Sequence, residues 1–184
     1  MYSYEDIRTV HLEITEKCQA GCAMCARTDS SGAFNRHLKN SELTLEQCSS
    51  IFEPRFISQL EKMYMCGNFG DPIMARDTLE VFEYFRDQNF RINLMMYTNG
   101  GGRSKTWWRD LASLLSPGKV VFAIDGMEDT NHVYRESVRW ERVVESAEAF
   151  IGAGGTADWH YLVFEHNEHQ VEDARALSRK MGFN

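Results

Sequence analysis

Residues 9–15, TVHLEIT, alternate between apolar and polar positions. Val10, Leu12 and Ile14 fall on one face, and His11, Glu13 and Thr15 on the other. That is the period of a half-buried strand. Further apolar runs end in Gly, Asn or Asp: KMYMCG (62–67), FRINLMMYTNG (90–100), KVVFAIDG (119–126) and ADWHYLVFEHN (157–167). Between them the period changes to that of helices. TLEQCSSIF (44–52) stops before Pro54, where a short new turn can start. ARDTLEVFEYFRDQ (75–88) sets Leu79, Phe82 and Phe85 on one face, and KTWWRDLASLL (105–115) does the same with Trp108, Leu111 and Leu115. WERVVESAEAFIGAGG (140–155) carries a stripe of Trp140, Val143, Val144, Ala147 and Ile151 before a glycine cap. QVEDARALSRKMG (170–182) repeats the form, with Gly182 at its end.

Five strand–helix units in a row predict an α/β fold with a parallel sheet and helices packed outside it. A closed eight-fold barrel takes about 250 residues. At 184 residues the expectation is an open sheet or a partial (β/α) barrel. In such folds chemistry collects at the carboxyl ends of the strands. The unusual polar segments all lie there: the cysteine loop after the first strand, GNFGDP after the second, TNGGG after the third, DGMEDTNHVYR after the fourth and EHNEH after the fifth.

Within the fourth strand, Val121, Ala123 and Asp125 share one face, and Val120, Phe122 and Ile124 the other. The bulkier set should meet the helices, which leaves Asp125 inward at the rim. In the fifth, Tyr161, Val163, Glu165 and Asn167 are expected inward and His160 and His166 on the helix side. Cys48 and Cys66 read as small buried hydrophobes.

Composition excludes several classes. No run of eighteen apolar residues exists to span a membrane, and the N-terminus lacks the basic-then-apolar form of a signal peptide. Both point to the cytoplasm, where thiols stay reduced, and an odd count of five cysteines fits disulfide pairing poorly. A net charge of −7 argues against a nucleic-acid partner.

Three cysteines fall within eight residues, as Cys18-x3-Cys22-x2-Cys25. Structural zinc wants four protein ligands, commonly as two cysteine pairs, and no second pair is present; Cys48, Cys66 or His37 would have to complete the site. Thiolates also suit iron–sulfur clusters. Three thiolates on a four-iron cube leave one iron open to a small molecule.

With this spacing after a first strand, the chain resembles the radical S-adenosylmethionine (radical SAM) superfamily. The resemblance implies that residues 1–184 form a radical SAM core domain with a sixth strand still to come, so that the core is C-terminally incomplete. It implies that Cys18, Cys22 and Cys25 hold a four-iron, four-sulfur ([4Fe-4S]) cluster whose open iron chelates S-adenosyl-L-methionine (SAM). An external one-electron reductant would then drive reductive cleavage of SAM to a 5′-deoxyadenosyl radical that abstracts hydrogen from a substrate.

Other positions carry over singly. Phe69-Gly70-Asp71-Pro72 resembles the GGEP motif that holds the SAM amino group, with Asp71 for Glu and Phe69 for Gly. Met24 stands where an aromatic residue near the adenine is usual. Thr98-Asn99-Gly100 resembles the strand end near the methionine carboxylate. Asp125 corresponds to a ribose-binding position, Val163 to an adenine contact and Asn167 to the rim. Asp125-Gly126 with His132 and Arg135 is similar to the segment after the fourth strand in the SPASM-type subgroup, whose members modify peptides or proteins among other substrates. The implied partner is a substrate of that kind, with His11, Glu13, Tyr64, Asn93, Tyr97 and Tyr161 pointing toward it. The rival expectation is a non-catalytic iron–sulfur or zinc module, an electron carrier or structural element, which would need a fourth protein ligand and no SAM pocket.

Overall fold

The computed structural model describes residues 3–29, 31 and 33–184. Among these, five strands form one sheet in the order of the chain: β1 (Thr9–Leu12), β2 (Lys62–Met65), β3 (Asn93–Thr98), β4 (Lys119–Ala123) and β5 (Thr156–His160). Every neighbouring pair is parallel. The crossovers carry α1 (Leu45–Ile51), α2 (Pro54–Ser58), α3 (Thr78–Gln88), α4 (Lys105–Leu115), α5 (Asn131–Tyr134) and α6 (Trp140–Gly152), and α7 (Val171–Met181) follows β5. This is the α/β partial barrel expected from the periodicity. No described helix is long and apolar enough to cross a membrane.

Helix starts follow local chemistry. Thr44 and Gln47 form a reciprocal capping box at α1, and the Ser104 hydroxyl accepts from Trp107 N–H at 3.2 Å to cap α4. Gly182 ends α7 with φ of 89°, a left-handed turn that a side chain would strain.

The helix-facing side of the sheet is a continuous apolar core. Val10, Leu12 and Ile14 of the β1 segment, Met63 and Met65, Leu94 and Met96, and Val120, Phe122 and Ile124 all belong to it. Phe122 sits among Trp108 of α4, Phe150 of α6 and Phe183. Full burial of side chains this large contributes about 1.5–3 kcal/mol each, so this layer holds the rim loops in place.

The opposite face is polar and aromatic. His11 stacks on Tyr64 with ring centroids 4.7 Å apart, Tyr64 meets Tyr97 edge-on at 6.1 Å, and Tyr97 meets His160 at 6.0 Å. Lys119 and Asp158 pair on the same face.

Four expectations are corrected. The last strand ends at His160, not at residue 167. Beyond it, side-chain oxygens replace the strand partner: Leu162 N–H donates to Asp125 at 2.6 Å and Phe164 N–H to Asn167 at 2.6 Å. Inside the ladder Asp158 and His160 share the inner face, and Ala157 and Trp159 face the core, so the face expected for His160 is inverted; it stands beside Tyr97, and the alternation ends with the strand. In α6 the stripe is turned, with Val143, Ser146, Ala147 and Phe150 buried and Val144 outside the core. Phe150 fits the space left by Phe122 and Trp108, and the helix rotates to insert it. Cys48 is in the core as expected, but Cys66 is only half-buried and lines a cleft on the inner face.

Candidate active site

The segments on either side of the cysteines, from Thr15 and up to Leu43, are tied to one another. Leu43 N–H donates to Ile14 carbonyl at 2.8 Å and Glu16 N–H to Ser41 carbonyl at 2.9 Å. The cysteines occupy tight turns between these segments: Ala20 N–H points at Cys18 Sγ at 3.4 Å, and Cys25 N–H donates to Cys22 carbonyl at 3.1 Å. All three thiols open into one cleft of about 380 Å³ at the carboxyl ends of the strands. Cys66, Gly70, Asp71, Thr98, Asn99 and Arg135 share its wall.

The loop after β2 is built on two glycines. A Cβ on Gly67 would sit 1.5 Å from the Gly70 carbonyl oxygen, and one on Gly70 would sit 2.0 Å from that of Thr15. Only bare backbone fits there, and so the 67–70 turn lies directly against the cysteine loop. Asp71 N–H donates to Lys17 carbonyl at 2.8 Å, and the Arg27 guanidinium donates to Phe69 carbonyl. Glu13 accepts from the backbone and side chain of Asn68.

Asp71 is the hub. Its carboxylate is buried and accepts from Ile73 N–H at 3.1 Å, Thr98 hydroxyl at 2.8 Å, Asn99 N–H at 2.7 Å and Asn99 Nδ2 at 2.6 Å. Burial pushes its pKa up, while these donors and the Arg135 charge pull the other way. The Asn99 amide also stands 3.7 Å from Cys18 Sγ, and its oxygen accepts from Gln19 at 2.6 Å. One carboxylate thus ties the GNFGDP loop, the TNG strand end and the first cysteine together.

On the other side, Arg135 Nη1 stands 3.7 Å from Cys22 Sγ while Nε donates to Asp125 at 2.6 Å. Burial drives the Cys18 thiol up to about 12, with the Asp71 charge adding to it. Burial raises Cys22 as well, against the pull of Arg135. Thiols raised in this way carry protons that a metal group must displace on binding.

The candidate residues divide into two groups. Cys18, Cys22, Cys25, Gly70, Asp71, Thr98 and Asn99 all line the cleft. Pro72 opens the short turn Pro72–Met74 behind it, where its carbonyl accepts from Thr78 hydroxyl at 2.5 Å. Met24 is 76% exposed and Val163 59% exposed, and neither lines the cleft. Asp125 is inward and fully buried, but both its oxygens are taken, by Arg135 and by Leu162 N–H. It reaches the cleft only through Arg135. Asn167 is buried in the loop after β5, where its amide donates to the Asp125 and Leu162 carbonyls at 2.8 and 2.9 Å.

Sequence reasoning left out Arg27, Cys66 and Tyr134 from the wall, and gave Arg135 no role there. The alternation of β2 into Tyr64 and Cys66, on the face of His11, was the available signal for Cys66.

Among the described residues, no three histidine, cysteine or carboxylate side chains close around a single metal ion. That is no obstacle to a four-iron cube, which takes each thiolate on a different iron and so spreads its ligands wider than one ion does. The donor set fits such a group: three thiols share one cleft, with N–H groups of Ala20, Asn99 and Arg135 directed at two of the sulfurs.

No protein-family model matches the chain. Solved structures do. The chain superposes on anSMEcpe with bound AdoMet at a TM-score of 0.73 and 15% identity, covering 96% of this chain and 49% of that one. Against Streptococcus suis SuiB bound to precursor peptide SuiA the TM-score is 0.73 at 13% identity, with 95% and 37% covered. Against BtrN in complex with AdoMet and 2-DOIA it is 0.52 at 14% identity, with 64% and 45% covered. The chain therefore shares the fold of these structures, two of which hold AdoMet and one a precursor peptide. The chain spans half or less of the length of each of these structures.

Proposed function

We propose that this chain is the core of a radical SAM enzyme that acts on a peptide or protein segment in the cytoplasm. One observation carries the reading: Cys18, Cys22 and Cys25, with no paired fourth cysteine, open into the same cleft as the Asp71–Thr98–Asn99 network, at the carboxyl rim of a sheet whose fold occurs in AdoMet-bound structures. When bound, the [4Fe-4S] cluster supplies one electron to the sulfonium of SAM, which yields methionine and a 5′-deoxyadenosyl radical able to take hydrogen from a substrate.

The rest is the work of this chain's residues. Cys18, Cys22 and Cys25 would hold the cluster. The glycine-built turn at 67–70 brings bare backbone to the cleft edge, where carbonyl oxygens can accept from an ammonium group. Asp71 keeps Asn99 and Thr98 aligned beside it. Tyr97 and Tyr134 supply aromatic surface to the wall. Below the cleft, the His11–Tyr64–Tyr97–His160 band offers hydrogen-bonding and stacking groups to an extended polar substrate. The SuiB complex with its precursor peptide supports a peptide as the substrate class. An external one-electron reductant completes the requirement.

The test is anaerobic reconstitution with iron and sulfide, metal and sulfide analysis, and reaction with dithionite, SAM and deuterium-labelled peptides. Stoichiometric iron and sulfide, followed by 5′-deoxyadenosine carrying label, is the expected result. Stoichiometric zinc without sulfide would point instead to a non-catalytic module and overturn the proposal.

A further inference from the structure

We propose that Arg135 is a positioning residue that sets the electron affinity of the cluster by holding a fixed positive charge against the Cys22 sulfur. This rests on the function proposed above. Arg135 and Cys22 are 113 residues apart in the chain and meet through their side chains, with Nη1 3.7 Å from Sγ. The contact is held from both sides. Gly21 N–H donates to Glu136 carbonyl at 3.0 Å, which docks the cysteine loop on the segment that carries Arg135. The Asp125 carboxylate takes Nε at 2.6 Å and is itself held by Leu162 N–H at 2.6 Å, while Asp125 N–H donates to Asn131 at 3.0 Å.

The division of labour within the guanidinium is the informative part. Hydrogen-bonding the Asp125 carboxylate needs one nitrogen. Arginine spends Nε on that and keeps a terminal nitrogen for the sulfur, which a lysine in the same place cannot do. The side chain is 17% exposed, so solvent and salt screen its charge weakly. Arg27 also lines the cleft, but its Nη1 is engaged by the Phe69 carbonyl.

Reduction adds one negative charge to a cluster already bearing three thiolates. A cation and an N–H directed at one of the sulfurs stabilise that added charge more than the oxidised form, and raise the potential. The structural role of Arg135, bridging two loops, does not by itself predict a change in potential.

The experiment is a mediator-controlled potentiometric titration of the reconstituted protein without SAM, with dithionite as the one-electron reductant and the reduced cluster read by electron paramagnetic resonance. In Arg135→Gln the ratio of reduced to oxidised cluster at a fixed ambient potential should fall about tenfold, a shift of about 59 mV to more negative values for a one-electron couple. Arg135→Lys keeps the charge but loses the fork, and should shift in the same direction by less. It also decides the matter should the Gln variant fail to hold a cluster. A potential equal to wild type in these variants overturns the inference alone. A wild-type chain that takes up no iron and sulfide overturns the proposed function and this inference with it.

Discussion

Asp71 offers the sharpest test of how the cleft is built. Replacing it by Ala removes the acceptor of four donors: Ile73 N–H, Thr98 hydroxyl, Asn99 N–H and the Asn99 amide. An unsatisfied buried donor costs about 1–3 kcal/mol. The four do not add, because the cleft beside them admits water, and because the wild-type carboxylate carries its own burial cost, visible in its raised pKa. A net loss of about 2–4 kcal/mol remains, the cost of one or two neutral donors left without an acceptor. Asp71→Asn should be milder, and the geometry says why. An amide NH2 in the Oδ2 position would face two donors of Asn99. In the Oδ1 position it faces the Thr98 hydroxyl, which can turn and accept, so only the Ile73 bond is lost. The expected cost is about 1–2 kcal/mol. The assay is urea unfolding of cluster-free protein under anaerobic conditions, followed by circular dichroism and tryptophan fluorescence. An Ala variant within 0.5 kcal/mol of wild type, or an Asn variant as costly as Ala, would refute the network reasoning.

Three further outcomes are expected. Gly70→Ala drives a Cβ to within 2.0 Å of the Thr15 carbonyl oxygen; the loop must shift, at a cost on the order of 3 kcal/mol by the same unfolding assay, with loss of iron retention. Cys66→Ser should leave iron and sulfide content unchanged while Ser at Cys18, Cys22 or Cys25 abolishes it; iron lost from the Cys66 variant would make it a fourth ligand. The Arg76 pairing and the Leu45 N–H hold the Asp77 pKa down at about 2, against 3.8 unperturbed. A depressed acid stabilises above its unfolded value and stops doing so as pH falls through the folded one. Asp77→Ala should therefore cost about 1 kcal/mol at neutral pH, after solvent screening of the Arg76 pair, and the gap to wild type should close between pH 3.8 and about 2. A gap that does not change with pH would show that the charge contributes nothing.

The strand–helix order, the parallel sheet and the rim on which the cysteines sit were all legible in the sequence. They follow from short-range periodicity, and a face that must be buried shows itself in the spacing of its own residues, as Val120 and Phe122 of β4 do with Ile124 just after it. The cysteine triplet was legible for the same reason, its three members being neighbours in one loop. What the tertiary structure decided are contacts between segments far apart. Asp71 could be read as part of a loop motif, but its four donors come from three residues, one the last of β3 and one just beyond it. Asp125 was placed inward by alternation, and only folding brought Arg135 and the Leu162 N–H onto its two oxygens, so that Arg135 and not Asp125 lines the cleft. Alternation also failed beyond His160, where the carboxylate of Asp125 and the amide of Asn167 outcompete a sheet partner for the backbone and leave Val163 exposed. Periodicity describes which way a side chain points while a ladder persists. Whether the ladder persists depends on hydrogen-bond partners that the chain supplies from elsewhere in the fold.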